Sequence, residues 1–370
     1  MIKKTIMTLF VLFTLFMVFL LFLGGEFESS QVGQRAIQCK KIPQLPGAED
    51  MVVDHAHQFI YLSIDDRRAL LNGEKKQGGI HVVPMGSTST QSRALSLVSP
   101  DLKPLTNRFH PHGIDMIEVQ GEIWIWVVNH HFGLVPMEKA PPNYTYHHSI
   151  DIFKVDNPNH PTQLILQQQL VSPLLTSPND LVILSPQEAY VTNDHARQDP
   201  WGKAFETLTK RSWGGVVHYK DKKWHTAYEG IAFANGIEVT SDHRNVLVAS
   251  ANGDGLYNFH RDQTGALQLH QQISMYESLD NLSWNQSQNE LWVTAHPRTL
   301  RFLLHAMSSD FASPTVVFST SFDAKKRLLS SLKVELGEKL PISGGSITVA
   351  TSQYLWVGSI FESFILRCIP

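Results

Sequence analysis

The sequence predicts an all-β protein, a six-bladed β-propeller with a central tunnel, preceded by an N-terminal hydrophobic anchor helix. Three observations predict this fold. The chain begins with an apolar run, a β-hairpin pattern then recurs at spacings of 45 to 65 residues, and two cysteines stand near the ends of the remaining chain. Regular β repeats of roughly this size are typical of propellers, with one blade per repeat.

The composition is that of an ordinary globular protein. The 370 residues are 42% hydrophobic and 18% charged, which is enough apolar material for a large core. The length would allow two domains, but closed all-β domains often run this long. The net charge of −3 lacks the basic excess typical of nucleic-acid binding, so we expect no nucleic-acid partner.

Residues 1–25 are predicted to be a signal-anchor or transmembrane segment. Lys3 and Lys4 precede an uncharged run, Ile6 to Leu23, which is long for a signal-peptide core and near the lower limit for a membrane span. No A-x-A-like cleavage site follows, so we favour an uncleaved anchor over a cleaved signal peptide. The lysines would stay in the cytoplasm. We therefore expect the protein in the secretory pathway, or on the periplasmic or extracellular side, membrane-anchored or secreted.

The two cysteines, Cys39 and Cys368, lie at opposite ends of the exported part. In an oxidising compartment such a pair predicts a disulfide, the alternative being two unrelated buried thiols. Propellers often close their ring by adding an N-terminal strand to the last blade, and a bridge here would lock that closure. We accordingly interpret 26–38 as a linker and 39–370 as the propeller domain.

Each hairpin begins with polar residues and returns as an apolar strand. In "SPNDLVILSPQEAYVTNDH", Asn179 and Asp180 precede the first apolar run, a Ser-Pro turn follows, and a second run returns. Helical patterns are scarce, and we predict short helices only at Ala204–Lys210 and Asp323–Leu329. The matching positions of the second strands are Tyr61, Trp126, Tyr190, Leu247, Trp292 and Trp356.

The polar starts of the hairpins are expected to meet in space. The first strand of each propeller blade runs beside the central axis, so its first residues project into one end of the tunnel. Only closure of the ring brings them together, since they are far apart in the sequence. They are Glu49, Asp50, His112, Asn179, Asp180, Asn235, Asp280, Asn281 and Ser346.

Carboxylate and amide oxygens without thiolates indicate a hard cation, and calcium fits a loose oxygen cage better than magnesium. The alternative is that each Asn or Asp caps a turn at a strand start, but five hairpins in matching phase favour a calcium-binding tunnel. His112 shares that phase, and a histidine beside a cation would be neutral and able to act as a base. Zinc lacks a ligand motif here, and no G-x-S-x-G elbow indicates a serine hydrolase.

The motifs GAEDM, HPHGI, VVNH, PNDLV, VTNDH, FANGI and LDNLSW occur in the order and phase of the paraoxonase (arylesterase) family, which residues 37–370 resemble. The resemblance implies a calcium-binding propeller that hydrolyses small lactones and aryl esters. It also implies two calcium ions, one catalytic and one structural. The implied ligands are Glu49, Asn179, Asn235, Asp280 and Asn281 for the catalytic ion, and Asp50, Asp180 and the Ile114 carbonyl for the structural ion.

The same resemblance assigns roles around the catalytic ion. Calcium would polarise the substrate carbonyl, and His112 would take a proton from the attacking water. His130 would be the partner of His112, and Asp194 the acid that orients His112. The implied substrate-pocket residues are Phe233, His195 and His296.

Two other functions stay open. One is a related propeller enzyme of the gluconolactonase or strictosidine-synthase type. The other is a non-catalytic propeller that binds partners and keeps calcium for stability, although the intact His112, His130 and Asp194 argue against it.

Two stretches depart from the family pattern, so the substrate does not carry over. Phe132–His148 makes a longer excursion, and Asp65–Gly79 is charged where the family has an aromatic and apolar loop. Glycosylation sequons occur at Asn143, Asn281 and Asn285. Asn281 would be buried on calcium and so not glycosylated. Asn143 lies in the long loop and is a candidate acceptor, the alternative being a chance match.

Overall fold

Six sheets, antiparallel except for one short strand, form a closed ring, as the sequence predicted. The computed structural model describes residues 14, 24–35, 37–86, 92–101, 103–104, 109–131, 147–285 and 289–369. Each blade's first strand contacts the first strands of both neighbouring blades, and the sixth contacts the first. These six inner strands therefore surround the tunnel.

The first three blades span residues 48–231 and follow strand β1 (Gln38–Pro43). A short strand of blade two, β6, pairs in parallel with the outer strand β10 defined below. Blade one contains β2 (Ala48–Asp54), β3 (Phe59–Ile64), β4 (Gly79–Pro84) and β5 (Arg93–Ala94); blade two contains β6 (Ser96–Val98), β7 (Pro111–Val119), β8 (Glu122–His130), β9 (His148–Val155) and β10 (Gln163–Leu170); blade three contains β11 (Pro178–Ser185), β12 (Glu188–Asn193), β13 (Gly214–Lys220) and β14 (Lys223–Ile231).

The last three blades follow the same plan, and β1 joins the final one. Blade four contains β15 (Ala234–Val239), β16 (Asn245–Ser250), β17 (Gly255–Arg261) and β18 (Leu267–Ile273); blade five contains β19 (Ser278–Asn285), β20 (Glu290–His296), β21 (Val316–Asp323), β22 (Leu328–Leu329) and β23 (Lys333–Leu336); blade six contains β24 (Gly345–Ala350), β25 (Leu355–Ser359) and β26 (Phe364–Ile369), with β1 at its outer edge.

The ring closes through its two termini. Strand β1 pairs antiparallel with β26, which places Cys39 directly opposite Cys368. The two sulfurs are 2.05 Å apart and form the predicted disulfide. Because the bridge closes a loop of 329 residues, the chain-entropy relation places its contribution at about 6 kcal/mol, above the usual range for disulfides.

The core lies between neighbouring blades, where the facing sides of two sheets bury their apolar side chains. Between blades three and four, for example, Tyr190 and Val216 pack against Val246 and Phe259. The aromatic or apolar positions predicted for the second strands are all buried, with at most 2% exposure. They are Tyr61, Trp126, Tyr190, Leu247, Trp292 and Trp356.

Three short helices decorate the described part of the chain: α1 (Arg67–Leu71), α2 (Pro200–Leu208) and α3 (Thr299–Met307). Helix α2 confirms the helix expected near residue 204, but it begins earlier, where Asp199 caps it and Pro200 occupies its first turn. The helix predicted at Asp323–Leu329 is wrong. There β21 ends and turns back into β22, because the Asp323 carboxylate accepts the backbone N–H groups of the next turn residues and favours the turn.

The N-terminal part is described only from Gly24, apart from one residue, so most of the predicted anchor segment lies outside the described residues. Within the described part, no helix has the length and apolar character needed to cross a membrane. The predicted linker contacts blade five, where Arg35 forms an ion pair with Glu335 at 2.6 Å. Asn143 and most of the Phe132–His148 excursion also lie outside the described residues.

Candidate active site

All six inner strands are bulged near their start. Pairing with the second strand skips from Pro178 to Leu181 in blade three, and from Leu279 to Leu282 in blade five. A β-bulge bends its strand and redirects the side chains of the unpaired residues. The residues left out of pairing in the six blades are Glu49, His112, Gly113, Asn179, Asp180, Asn235, Gly236, Asp280, Asn281, Ser346 and Ile347.

Two of these bulges require glycine. A Cβ atom on Gly236 would lie 2.6 Å from the Asn281 Cα, and one on Gly113 would lie 2.5 Å from the Asp180 Cα. Adjacent inner strands can approach this closely only where a side chain is missing. The glycines of the motifs HPHG and FANG therefore let the acids and amides of the next blade reach the axis.

We call Glu49, Asn179, Asn235, Asp280 and Asn281 the upper oxygen set, since these are the residues predicted for a catalytic calcium. All five are at most 5% exposed. Asn281 Nδ2 donates to Glu49 Oε1 at 2.8 Å, and Ser346 Oγ donates to the Glu49 carbonyl at 2.6 Å. The set is thus held at one end of the tunnel by contacts between blades.

Four oxygens of the upper oxygen set have no hydrogen-bond partner: Glu49 Oε2, Asn179 Oδ1, Asn235 Oδ1 and Asn281 Oδ1. A buried polar atom without a partner costs about 1–3 kcal/mol. No three His, Cys, Asp or Glu side chains in the described ranges are grouped to hold a metal by themselves, so any ion here would depend on the amide oxygens. A set of carboxylate and amide oxygens fits calcium.

The electrostatics of Glu49 also fit a cation. Burial raises the pKa of Glu49 to about 7; the nearby Arg67 opposes this shift and Asp280 adds to it. A carboxyl whose pKa is raised in this way is ready to ionise when a cation binds beside it.

The second predicted calcium site contains Asp50 and Asp180, which we call the deep pair. Burial and the proximity of like charges raise the pKa of Asp50 well above its ordinary value, and burial does the same for Asp180. Asp50 accepts the Ile114 N–H at 2.8 Å, and Asp180 accepts the Ile237 N–H at 2.9 Å. Each carboxylate therefore joins one inner strand to the next.

His112 lies between Glu49 and an arginine. Its Nε2 is 3.4 Å from Glu49 Oε1, and its Nδ1 is 3.3 Å from Arg67 Nη2. Because an arginine N–H can only donate, Nδ1 accepts and the ring proton is on Nε2. Burial, and then the positive charge of Arg67, hold the pKa of His112 well below its usual range, so the ring is neutral.

His130 lies edge-on to His112, with ring centres 5.2 Å apart. A third histidine, His148, continues the row, since its Nδ1 is 2.8 Å from His130 Nδ1. Burial is the main reason why the pKa of His148 falls to about 3 and that of His130 well below its ordinary value. His130 Nε2 has no hydrogen-bond partner, and it can accept a proton in the tautomer in which His130 Nδ1 carries the ring proton and donates to His148 Nδ1.

Asp194 is placed differently from the expectation. Its Oδ1 accepts from His195 Nδ1 at 2.7 Å, and no hydrogen bond to His112 is found among the described residues. The adjacent residue His195, and not His112, therefore forms the hydrogen bond with the Asp194 carboxylate. Burial raises the pKa of Asp194, but the charges of His195 and Lys203 outweigh burial and hold it below its ordinary value. Asp194 therefore acts on His112 only through space.

The predicted pocket residues surround the upper oxygen set from two sides. The His195 and Phe233 rings are 4.8 Å apart, and Phe233 adopts a left-handed backbone conformation with φ of 55°. On the other side, His296 Nε2 contacts Asp280 Oδ2 at 2.8 Å, and its ring centre is 4.1 Å from that of Phe302. These two aromatic pairs form apolar walls beside the polar centre.

Sequence reasoning missed three residues of the site: Arg67, His148 and Lys203. Arg67 comes from the charged loop and His148 from the end of the long excursion, and sequence reasoning marks both stretches only as departures from the family. Lys203, on α2, donates to Ser177 Oγ at 2.7 Å and lowers the pKa of His112 and of Asp194 through its charge. The only sequence signal for Arg67 and His148 is the doubling of Arg and of His at these positions.

Comparison with known proteins finds a family model and relatives that match this chain. The family model described as Arylesterase matches residues 70–368. Serum paraoxonase/arylesterase 2 of Rattus norvegicus is 26% identical over 255 residues, covering 69% of this chain and 67% of the relative. The Homo sapiens protein of the same name is 25% identical over 289 residues, covering 78% and 75%.

Solved structures show the same fold at low identity. The luciferin-regenerating enzyme superimposes with a TM-score of 0.54 at 12% identity, covering 90% of this chain and 96% of that chain. The calcium-binding protein regucalcin from Agrobacterium tumefaciens gives a TM-score of 0.51 at 12% identity, with coverage of 90% and 93%. At these identities the likeness concerns the fold alone.

Proposed function

The chain belongs to the arylesterase family, and on that premise we propose that it is a calcium-dependent hydrolase of lactones and aryl esters. Family membership supports a hydrolase of small esters or lactones. The calcium dependence and the residue roles are our own inference from the geometry of the site. The single observation that carries them is the group of four unpartnered oxygens in the upper oxygen set.

Those four oxygens support the proposal of a catalytic calcium ion, because they could serve as its ligands. Glu49, Asn179, Asn235, Asp280 and Asn281 would hold the ion. When bound, calcium supplies Lewis-acid polarisation of the substrate carbonyl. A second, structural ion would lie on the deep pair with the Ile114 carbonyl, because two buried carboxylates with a mutual repulsion are stabilised by a cation between them.

The histidines supply the proton chemistry. A neutral imidazole nitrogen with a free lone pair can accept a proton from water, and His130 Nε2 is such a nitrogen in the tautomer whose Nδ1 donates to His148. His148 fixes the orientation of the His130 ring through Nδ1. Both nitrogens of His112 are engaged, Nδ1 by Arg67 and Nε2 by Glu49, so we assign the base role expected of His112 to His130, whose ring it contacts at a right angle. Asp194 is assigned to orienting His195 at the pocket wall.

The pocket favours a substrate with an apolar part. Phe233 with His195, and His296 with Phe302, provide aromatic surfaces beside the oxygen set. Such walls bind the ring or alkyl part of a substrate while a few polar groups fix the carbonyl.

A substrate panel with and without chelator tests the proposal. We expect aryl acetates and γ- and δ-alkyl lactones to be hydrolysed with calcium, the activity to disappear in EDTA, and calcium to restore it. Full activity in chelator would contradict the calcium role. A clear preference for gluconolactone would favour a gluconolactonase-type enzyme instead.

We also place the enzyme on the exported side of a membrane. The bridge between Cys39 and Cys368 supports an oxidising compartment. Gly25, just after the apolar run, contacts Arg298 at the start of α3, whose Leu303 and Met307 side chains are 47% and 81% exposed. An anchored N-terminus would bring this apolar face to the bilayer. Extraction of the intact protein with detergent, but not with high salt, would support the placement.

A further inference from the structure

Arg67 is a buried cation with no carboxylate in hydrogen-bond contact among the described residues. Its side chain is 4% exposed, and its three hydrogen-bond contacts are all neutral: the Gly47 carbonyl at 3.3 Å, the Pro111 carbonyl at 3.5 Å and His112 Nδ1 at 3.3 Å. Its Nε has no hydrogen-bond partner. A guanidinium stays charged at every relevant pH, so this charge cannot be relieved by losing a proton.

The acids that precede Arg67 in the chain are engaged elsewhere. Asp65 Oδ1 contacts His110 Nδ1 at 3.1 Å. Asp66 caps α1 through the Ala69 N–H and forms an ion pair with Lys76 at 3.0 Å. Burying an unpaired charge is costly, and folds normally avoid it by pairing the charge. Arg67 also attracts Glu49 across His112, but Glu49 belongs to the upper oxygen set and makes no hydrogen bond with it. A hydrogen-bonded partner of Arg67 is therefore expected to come from outside the chain.

The position of Arg67 indicates which chemical group of a bound ligand would pair with it. Arg67 faces Nδ1 of His112, whereas Glu49 of the upper oxygen set faces Nε2 on the other side of the same ring. One imidazole ring thus separates the guanidinium from the place where the reacting carbonyl would bind. The anion that Arg67 holds is a substituent of the substrate and not the carbonyl oxygen itself.

The charge balance around the site agrees with an anionic substituent. In the proposed function, the two carboxylates of the upper oxygen set balance one calcium ion. Arg67 then adds a positive charge. Asp194 and Lys203 also act on His112, with opposite signs, so they offset each other there. The charge of Arg67 remains as the positive excess beside His112.

The geometry points to Arg67 as a substrate-specificity residue that binds a carboxylate, so that the preferred substrate is a lactone or ester carrying a free carboxylate group. Arginine and carboxylate match in shape and form strong paired hydrogen bonds. This inference rests on the proposed hydrolase function and adds a substrate class to it.

A matched substrate pair tests it. We compare 5-oxotetrahydrofuran-2-carboxylate with the neutral carboxamide of the same lactone, using the full chain loaded with calcium. The wild type is expected to favour the carboxylate by at least about tenfold in kcat/KM, and Arg67→Met to lose that preference. Arg67→Lys keeps the charge and is expected to retain part of it. Arg68→Met is the matched control, because Arg68 contacts His305 and Phe361 instead, and its ratio should equal that of the wild type.

A binding measurement separates this inference from the proposed function. Glutaramate and its neutral diamide are titrated into the same proteins by calorimetry, which requires no turnover. Tighter binding of the anion that Arg67→Met abolishes would support the carboxylate site even if no ester or lactone were hydrolysed. Hydrolysis without a carboxylate preference, or a preference that survives in Arg67→Met, would overturn the site and leave the hydrolase function standing.

Discussion

The upper oxygen set and the deep pair lie in one tunnel but are satisfied in different ways. Every carboxylate oxygen of the deep pair accepts a backbone N–H, one from the next residue and one from the neighbouring blade. Four oxygens of the upper oxygen set accept nothing. The deep pair is therefore part of how the blades are joined, whereas the upper oxygen set keeps free oxygens for the calcium ion of the proposed function.

Because of this difference, we expect substitutions in the two regions to affect different properties of the protein. Removing a group that bonds to the backbone disturbs the contact between blades and should lower the free energy of unfolding. Removing a group that bonds only to a ligand should appear in binding and turnover. The two regions also share one feature, a raised carboxyl pKa due mainly to burial, so a cation should stabilise both.

The largest effect is expected at the upper oxygen set. Asn235→Ala removes an unpartnered oxygen and should lower lactone hydrolysis by at least about 100-fold, as losing a stabilising group for the carbonyl oxygen does elsewhere. Calcium affinity, measured by calorimetry, should fall with it. Asn235→Asp keeps an oxygen at the same place and is the matched control, with calcium binding retained. Equal activity in Asn235→Ala and the wild type would remove Asn235 from the site.

The pH dependence of stability should be large without calcium and small with it. The folded pKa of Glu49 is about 7 against an ordinary 4.5, so its contribution to stability is full below pH 4.5 and is lost as the pH rises through about 7. This shift corresponds to about 3 kcal/mol. Calcium favours the ionised form and should cancel the loss. Urea unfolding at pH 5 and pH 8, with calcium or with EDTA, measures it; a calcium effect equal at both pH values would contradict the prediction.

Much of the arrangement of these two regions could be predicted from the sequence. The hairpins repeat in phase, and that phase alone assigns the acids and amides at their starts to one end of a tunnel. The bulges could not be predicted, because they depend on how closely neighbouring inner strands approach. They explain why consecutive residues such as Asn179 and Asp180 serve two different regions.

Arg67 and Asp194 mark the limits of sequence reasoning. A run of charges between strands normally indicates a solvated loop, and nothing local shows that α1 directs Arg67 inward. The family resemblance assigns Asp194 to His112, yet its own neighbour His195 occupies it. The contacts of Arg67 depend on where its loop folds back, which is set by long-range packing. The contact of Asp194 is local, because the adjacent residue forms it.

Glycine substitutions should disturb the upper oxygen set through the backbone. Gly236→Ala would place a methyl group 2.7 Å from the Asp280 carbonyl oxygen and 2.6 Å from the Asn281 Cα. Forcing these strands apart should cost about 1–3 kcal/mol of stability and weaken calcium binding. Gly79→Ala is the control, because a Cβ there meets nothing within 4 Å. Thermal unfolding measures the stability of each variant, and calcium titration measures its calcium affinity. If Gly236→Ala and Gly79→Ala had similar stability and similar calcium affinity, the close approach of the strands at Gly236 would be contradicted.

The smallest effect is expected from the third histidine, which the upper oxygen set reaches only through His130. His148→Phe removes the partner of His130 Nδ1 but keeps a ring of similar size, so one hydrogen bond is lost. Such a bond is worth about 1 kcal/mol, which predicts roughly a fivefold fall in kcat with little change in KM. His147→Phe, at the exposed neighbouring position, is the control. If His148→Phe lowered calcium affinity instead, His148 would belong to the metal site; if it changed nothing, His130 would hold its orientation through His112 alone.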